Sequence, residues 1–244
     1  MNLKVLLLHG QPGAPRDWDR VIAALPGGVE PLAPARPGWN GASPALDLRG
    51  NALAAADALD APAIVVGHSF GAAVAASLAV LAPDLVRSLV LVSPSANSAA
   101  LDGFDGVLAS PVLGSVLSGF MLGTVGGALS LPPVRRALAT TLGLDPEFLR
   151  AGGQLLVRPQ SWRSFEVEQR ALCRELPGLE KQLGEITAPT TIVSGTADRV
   201  VPLRAARMLA TQIPGARLKL VEGAGHLLPQ LAPDAVARAV GEFI

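Results

Sequence analysis

A serine, an aspartate and a histidine, in that chain order, offer covalent catalysis. The serine lies in Gly67-His68-Ser69-Phe70-Gly71, between the β-branched run Ala63-Ile64-Val65-Val66 and the Ala-rich stretch Ala72 to Leu81. A strand that turns sharply into a helix at G-x-S-x-G exposes the serine at the helix start. The tight reversal forces its backbone into a sparsely populated region. Nearby side chains would collide, so Gly67 and Gly71 leave room. Ser69 is the candidate nucleophile.

A serine hydroxyl attacks only when an imidazole takes its proton. The chain has three histidines. His9 lies at the end of the first strand, ahead of the serine. His68 adjoins Ser69 in the turn, and its side chain is expected to point away from the hydroxyl. His226, in Glu222-Gly223-Ala224-Gly225-His226, remains. It follows the strand Arg217 to Val221, on a loop at a strand's C-terminal edge. The imidazole needs an acceptor at its other nitrogen to fix its tautomer. Asp198, in Gly195-Thr196-Ala197-Asp198, also follows a strand. The rival position lies after the strand ending at Val92, where the nearest carboxylate is Asp102. Asp198 is the expected partner.

Acyl transfer develops negative charge on the carbonyl oxygen, and two backbone N–H groups would stabilise it. The residue after the nucleophile supplies one, from Phe70. The loop His9-Gly10-Gln11-Pro12-Gly13 supplies the other. Gln11 is assigned, because Pro12 has no N–H. The Gln11 and Phe70 side chains are weaker candidates for pocket lining.

These residues need a frame that collects strand ends. Strand and helix signals alternate, the pattern of a parallel sheet with helices on both faces. Strands are predicted at Leu3 to Leu8, Val29 to Ala33, Ala63 to Val66, Ser88 to Val92, Thr190 to Ser194 and Arg217 to Val221. Helices are predicted at about Arg16 to Leu25, Ala45 to Leu59, Ala72 to Leu81, Pro202 to Gln212 and Asp234 to Phe243. Residues 1–96 and 186–244 then form a core. Residues 97–185 break the alternation and read as an inserted helical lid.

Half of the 244 residues are hydrophobic and 16% are charged, so the chain is globular rather than disordered. Twenty basic residues balance twenty acidic ones, without a Lys/Arg cluster, and no nucleic-acid partner is expected. The single cysteine, Cys173, allows no intrachain disulfide and fits a cytoplasmic location. It reads as a packing thiol. The apolar start at Leu3 to Leu8 is too short for a signal sequence. Residues 106–134 carry no charge, which is long enough for a bilayer, and Gly119 and Gly123 form a G-x-x-x-G pair. Pro111, Pro132, Pro133 and several glycines and serines argue against a membrane span. A short apolar helical insertion is expected instead, with Val107 to Leu131 as candidate lining of an acyl pocket.

In order along the chain, His9-Gly10-Gln11-Pro12-Gly13, Ala35-Arg36-Pro37-Gly38-Trp39, Gly67-His68-Ser69-Phe70-Gly71, Gly195-Thr196-Ala197-Asp198 and Gly225-His226 resemble the motifs of the lid-bearing α/β-hydrolase superfamily. The resemblance covers nearly the whole chain except the lid. It implies an α/β fold that lacks the family's first two strands, a mostly parallel sheet of about six. It implies esterase, C–C hydrolase or cofactor-free perhydrolase chemistry on a small ester-like substrate, without metal or organic cofactor. Haloalkane dehalogenases and related epoxide hydrolases carry aspartate where Ser69 stands, which argues against both activities. A non-catalytic binding protein of this fold is the remaining alternative. Such proteins often lose a triad member, and all three are present here.

Overall fold

β1, Leu3–Leu8, is apolar apart from Lys4 and is covered on both faces, as the strands of parallel sheets are. The computed structural model describes residues 3–244. It extends the pattern of β1 to a six-stranded sheet with β2 (Val29–Leu32), β3 (Ala63–His68), β4 (Val86–Val92), β5 (Thr190–Gly195) and β6 (Arg217–Val221). The order across the sheet is β2-β1-β3-β4-β5-β6, with every pairing parallel. Val5 pairs with Ile64 and Leu89 with Thr190, so all six strands end on one edge.

Alternate residues of the strands feed two cores. Leu6, Leu8, Val65, Leu89, Leu91 and Ile192 pack against α2 (Leu48–Asp57), α3 (Phe70–Leu81) and later helices. Val5, Leu7, Ile64, Val66, Val90 and Val193 face the other way, towards α1 (Asp19–Ala24) and a C-terminal helix. The Ala-rich composition of α3 reflects its place: it is buried nearly throughout, and small side chains let it lie close to the sheet.

Five helices stand between β4 and β5: α4 (Gly103–Leu108), α5 (Leu113–Ser130), α6 (Pro132–Leu142), α7 (Pro146–Leu156) and α8 (Pro159–Gln182). They build a third apolar cluster around Leu108, Leu122, Leu129, Leu149, Leu156 and Phe165. The packing does not break at 97 and 185, however. Asn97 is fully buried and donates to the carbonyl of Ala205 at 3.0 Å. Ala171, Leu172, Leu176 and Leu179 of α8 belong to the sheet's own core. One long helix therefore serves both layers.

Most of the charge-free stretch forms α5, a helix of 18 residues rather than a short one, and the ends of the stretch fall in α4 and α6. α5 is long and apolar enough to cross a membrane. It packs through Gly114, Ser118, Leu122, Gly126 and Leu129, whereas Val116 and Phe120 are exposed. After β5 come α9 (Leu203–Gln212), then β6, a four-residue α10 (Leu228–Leu231) and α11 (Pro233–Gly241), the C-terminal helix of the second core.

Candidate active site

The turn from β3 into α3 has no space for side chains on its glycines. A Cβ on Gly67 would lie 2.2 Å from the carbonyl oxygen of Gly71, and one on Gly71 would lie 2.2 Å from that of Leu8. Between them Ser69 adopts φ 54° and ψ −119°, a conformation non-glycine residues rarely hold. The surroundings impose it: the Ser69 N–H donates to Val92 at 3.0 Å, and its carbonyl accepts from Ala72 and Ser95. The helix α3 starts at Phe70, two residues before the predicted start.

His226 meets Asp198 as the sequence pairs them. Nδ1 of His226 lies 2.9 Å from Oδ2 of Asp198. The other oxygen of Asp198 accepts from the N–H groups of Val200 and Val201, at 2.8 and 2.9 Å. Burial pushes the Asp198 carboxyl up, but the His226 hydrogen bond and charge and the two N–H groups outweigh it and hold it below the usual range. A carboxylate at Nδ1 places the proton there and leaves Nε2 as the basic nitrogen. Asp102, the rival acid, caps α4 instead: its Oδ1 accepts from the N–H groups of Phe104 and Asp105.

Ser69, His226 and Gln11 line one cavity of about 600 Å³, and Asp198 stands behind His226. Gly10 of the first loop approaches closely, since a Cβ there would come within 3.1 Å of Cβ of Ser69. The N–H groups of Gln11 and Phe70 have no protein acceptor among the described residues. The Gln11 side chain also reaches the cavity, where its Nε2 donates to Oε1 of Gln169 at 3.0 Å. The Phe70 side chain does not. It is fully buried in the sheet's core with the guanidinium of Arg36 over its ring, because the first residue of α3 turns its side chain inward.

The matched family spans residues 5–239 and is described as the alpha/beta hydrolase family. The chain belongs to it. Among its relatives, a pimeloyl-[acyl-carrier protein] methyl ester esterase of Aromatoleum aromaticum is 32% identical, over 91% of this chain and 90% of its own. Lipase LipV of Mycobacterium tuberculosis is 31% identical, over 97% and 91%. An α/β hydrolase fold protein from Burkholderia ambifaria has the same fold, at 22% identity and a TM-score of 0.78 over 99% of this chain and 91% of its own.

In this α/β hydrolase, two features of the site escape a reading of the sequence. His68 does not merely turn aside. Its Nε2 contacts the main-chain oxygen of His226 at 3.0 Å, and the two rings lie 4.9 Å apart. Burial, reinforced by the charge of His226, pushes His68 down to about 3, so its ring is neutral. The second feature is the wall of the cavity. Of the stretch Val107 to Leu131, only Leu108, Met121, Leu122 and Leu129 line it; Val107 and Leu131 themselves face outward. Phe148, Leu149 and Leu155 of α7 and Phe165 of α8 supply much of the rest. A segment that is apolar all round carries no periodic signal to say which side turns inward. Cys173 is half-buried, and burial pushes its thiol up, away from the reactive thiolate.

Proposed function

We propose that this hydrolase is a serine carboxylesterase that forms an acyl-enzyme on Ser69. One observation carries the reading. A serine held at φ 54° opens into the same cavity as a histidine whose Nδ1 is paired with a buried carboxylate at 2.9 Å. The esterase and lipase relatives support it.

Oγ of Ser69 attacks the ester carbonyl carbon while Nε2 of His226 takes its proton, and Asp198 stabilises the imidazolium. The carbonyl oxygen, now an oxyanion, sits on the N–H groups of Gln11 and Phe70. Collapse expels the alcohol, protonated by His226. Water, deprotonated by the same histidine, then frees the acid. No cofactor takes part in these steps.

The helices between β4 and β5, apart from the part of α8 that joins the sheet's core, act as a lid, and the apolar wall from Leu108, Leu122, Leu129 and Phe148 suits the acyl or alkyl part of a small apolar ester. The test is Ser69→Ala. Turnover of p-nitrophenyl butyrate should fall to background with an unchanged circular dichroism spectrum, and a fluorophosphonate probe should label only the wild type. Turnover kept by the alanine variant defeats the reading.

A further inference from the structure

Arg36 lies in the loop after β2 and is 2% exposed; Glu168 in α8 is fully buried. We propose that Arg36, held by Glu168, is a positioning residue that aims the Gln11 N–H at the oxyanion. This rests on the serine-esterase reading of the site.

A guanidinium has five N–H donors in a rigid fork. Here all five have acceptors. Nε donates to the carbonyl of His9 at 2.9 Å. One Nη2 hydrogen goes to the carbonyl of Gly10 at 2.9 Å and the other to Oε2 of Glu168 at 3.2 Å. Nη1 reaches Oδ1 of Asn51 at 3.1 Å and Oε1 of Glu168. Nε1 of Trp39 donates to that same carboxylate oxygen at 3.0 Å. The fork cannot rotate without breaking several bonds.

The carbonyl of Gly10 and the N–H of Gln11 are two ends of one planar peptide unit. Across a trans bond they point in opposite directions. Whatever grips the oxygen therefore aims the N–H. Two donors grip it: Arg36 and Nδ1 of His9, which lies 2.9 Å away. His9 must carry its proton on Nδ1, because its Nε2 accepts from the Arg36 main-chain N–H at 3.2 Å. A cation on the carbonyl also polarises the amide, which makes its N–H a stronger donor. The same guanidinium lies 4.7 Å from the centre of the Phe70 ring. Arg36 thus grips the peptide unit that carries the Gln11 N–H and packs on the ring of Phe70, the residue of the other proposed donor.

A buried ion pair is a weak device for stability alone, since hydrophobic replacements are often neutral or better. Orientation of a peptide plane is something those replacements do not supply. Because Glu168 belongs to α8, the helix that also carries Gln169 and Phe165 to the cavity, the oxyanion loop and the cavity wall share one anchor.

The experiment compares wild type, Ser69→Ala, Arg36→Lys and Glu168→Gln. Each is assayed for kcat and KM on p-nitrophenyl butyrate. Each is also assayed for inhibition by an alkyl trifluoromethyl ketone, which forms a tetrahedral oxyanion on serine, and for circular dichroism. Both Arg36→Lys and Glu168→Gln should lose about 10- to 100-fold in kcat, less than or near the loss of a whole oxyanion donor, with KM within about twofold. Their ketone Ki should rise by the same factor as kcat/KM falls. Folded variants with kcat and ketone Ki near wild type, or with only KM changed, overturn the proposal. Should Arg36→Lys not fold, the nearly isosteric Glu168→Gln decides by the same readout. Loss of fold in both overturns it too, since the pair then serves stability. A wild type whose turnover survives Ser69→Ala instead removes the esterase reading, and this proposal with it.

Discussion

Nε2 of His68 hydrogen-bonds the main-chain oxygen of His226 at 3.0 Å, so the residue before Ser69 holds the loop that carries His226. The acceptor is a carbonyl, so the ring donates. The elbow and the histidine loop, 158 residues apart, are thereby locked in register.

His68→Ala removes that bond and a buried ring. It should lower kcat on a small ester by about tenfold through looser placement of His226, while KM changes little. Thermal unfolding should show a loss of about 2–4 kcal/mol. Because burial keeps His68 neutral down to about pH 3, the variant's pH–rate profile above that pH should run parallel to the wild type's. A profile of different shape would show that the His68 ring changes charge in that range.

Asp198 does two jobs with two oxygens, and substitutions can separate them. Asp198→Asn keeps an acceptor for the N–H groups of Val200 and Val201 but presents an amide or a neutral oxygen to His226. It should lose about 10²- to 10⁴-fold in kcat with a nearly unchanged melting temperature. Asp198→Ala should lose a similar factor and also about 1–3 kcal/mol, because the partly buried Val201 N–H and the more exposed Val200 N–H lose their acceptor. Equal melting temperatures for the two variants would contradict the division of roles.

Asp17 is part of the cavity wall, and burial raises its carboxyl from 3.8 to about 6, despite the hydrogen bond from the Ala14 N–H. A carboxyl whose folded pKa exceeds its unfolded value binds more protons when folded, so stability falls as pH rises between the two values. The penalty is absent below about pH 4 and complete above about pH 6, where it reaches at most about 3 kcal/mol. Asp17→Asn should therefore melt higher than wild type at pH 7.5 and at the same temperature at pH 3.5. Denaturation midpoints at both pH values test this, and an advantage at the lower pH alone would reverse the sign.

Leu122 of α5 is buried in the wall of the cavity. Leu122→Phe should narrow it, raising KM for octanoyl over acetyl p-nitrophenyl esters by several-fold, at a stability cost of about 1–3 kcal/mol. An unchanged chain-length profile would place the acyl group elsewhere.

Local chemistry is legible wherever it depends on neighbours in sequence. The elbow needs two glycines around Ser69 and a strand and helix beside it, and all lie between Ala63 and Leu81. The six strands are legible because short apolar runs bounded by turn residues alternate with longer Ala-rich helices. Their limits move by only a few residues, as at β4, which begins at Val86 rather than Ser88. The division at 97 and 185 is less legible, because α8 is amphipathic throughout and nothing along it marks where it leaves the cavity wall for the sheet's core.

The order of residues alone therefore determined the parallel α/β frame and the tight turn at Ser69, and it singled out His226 and Asp198 as candidates, by elimination among three histidines and by position after strands. Tertiary structure decided what lies across large gaps in the chain. The grip of Arg36 on Glu168 spans 132 residues, and that of His68 on His226 spans 158. It also decided which side of α5 meets the cavity. Hydrogen bonds between distant segments leave no periodicity for a sequence to display, and a helix that is apolar on every side does not indicate its partner until the other helices pack against it.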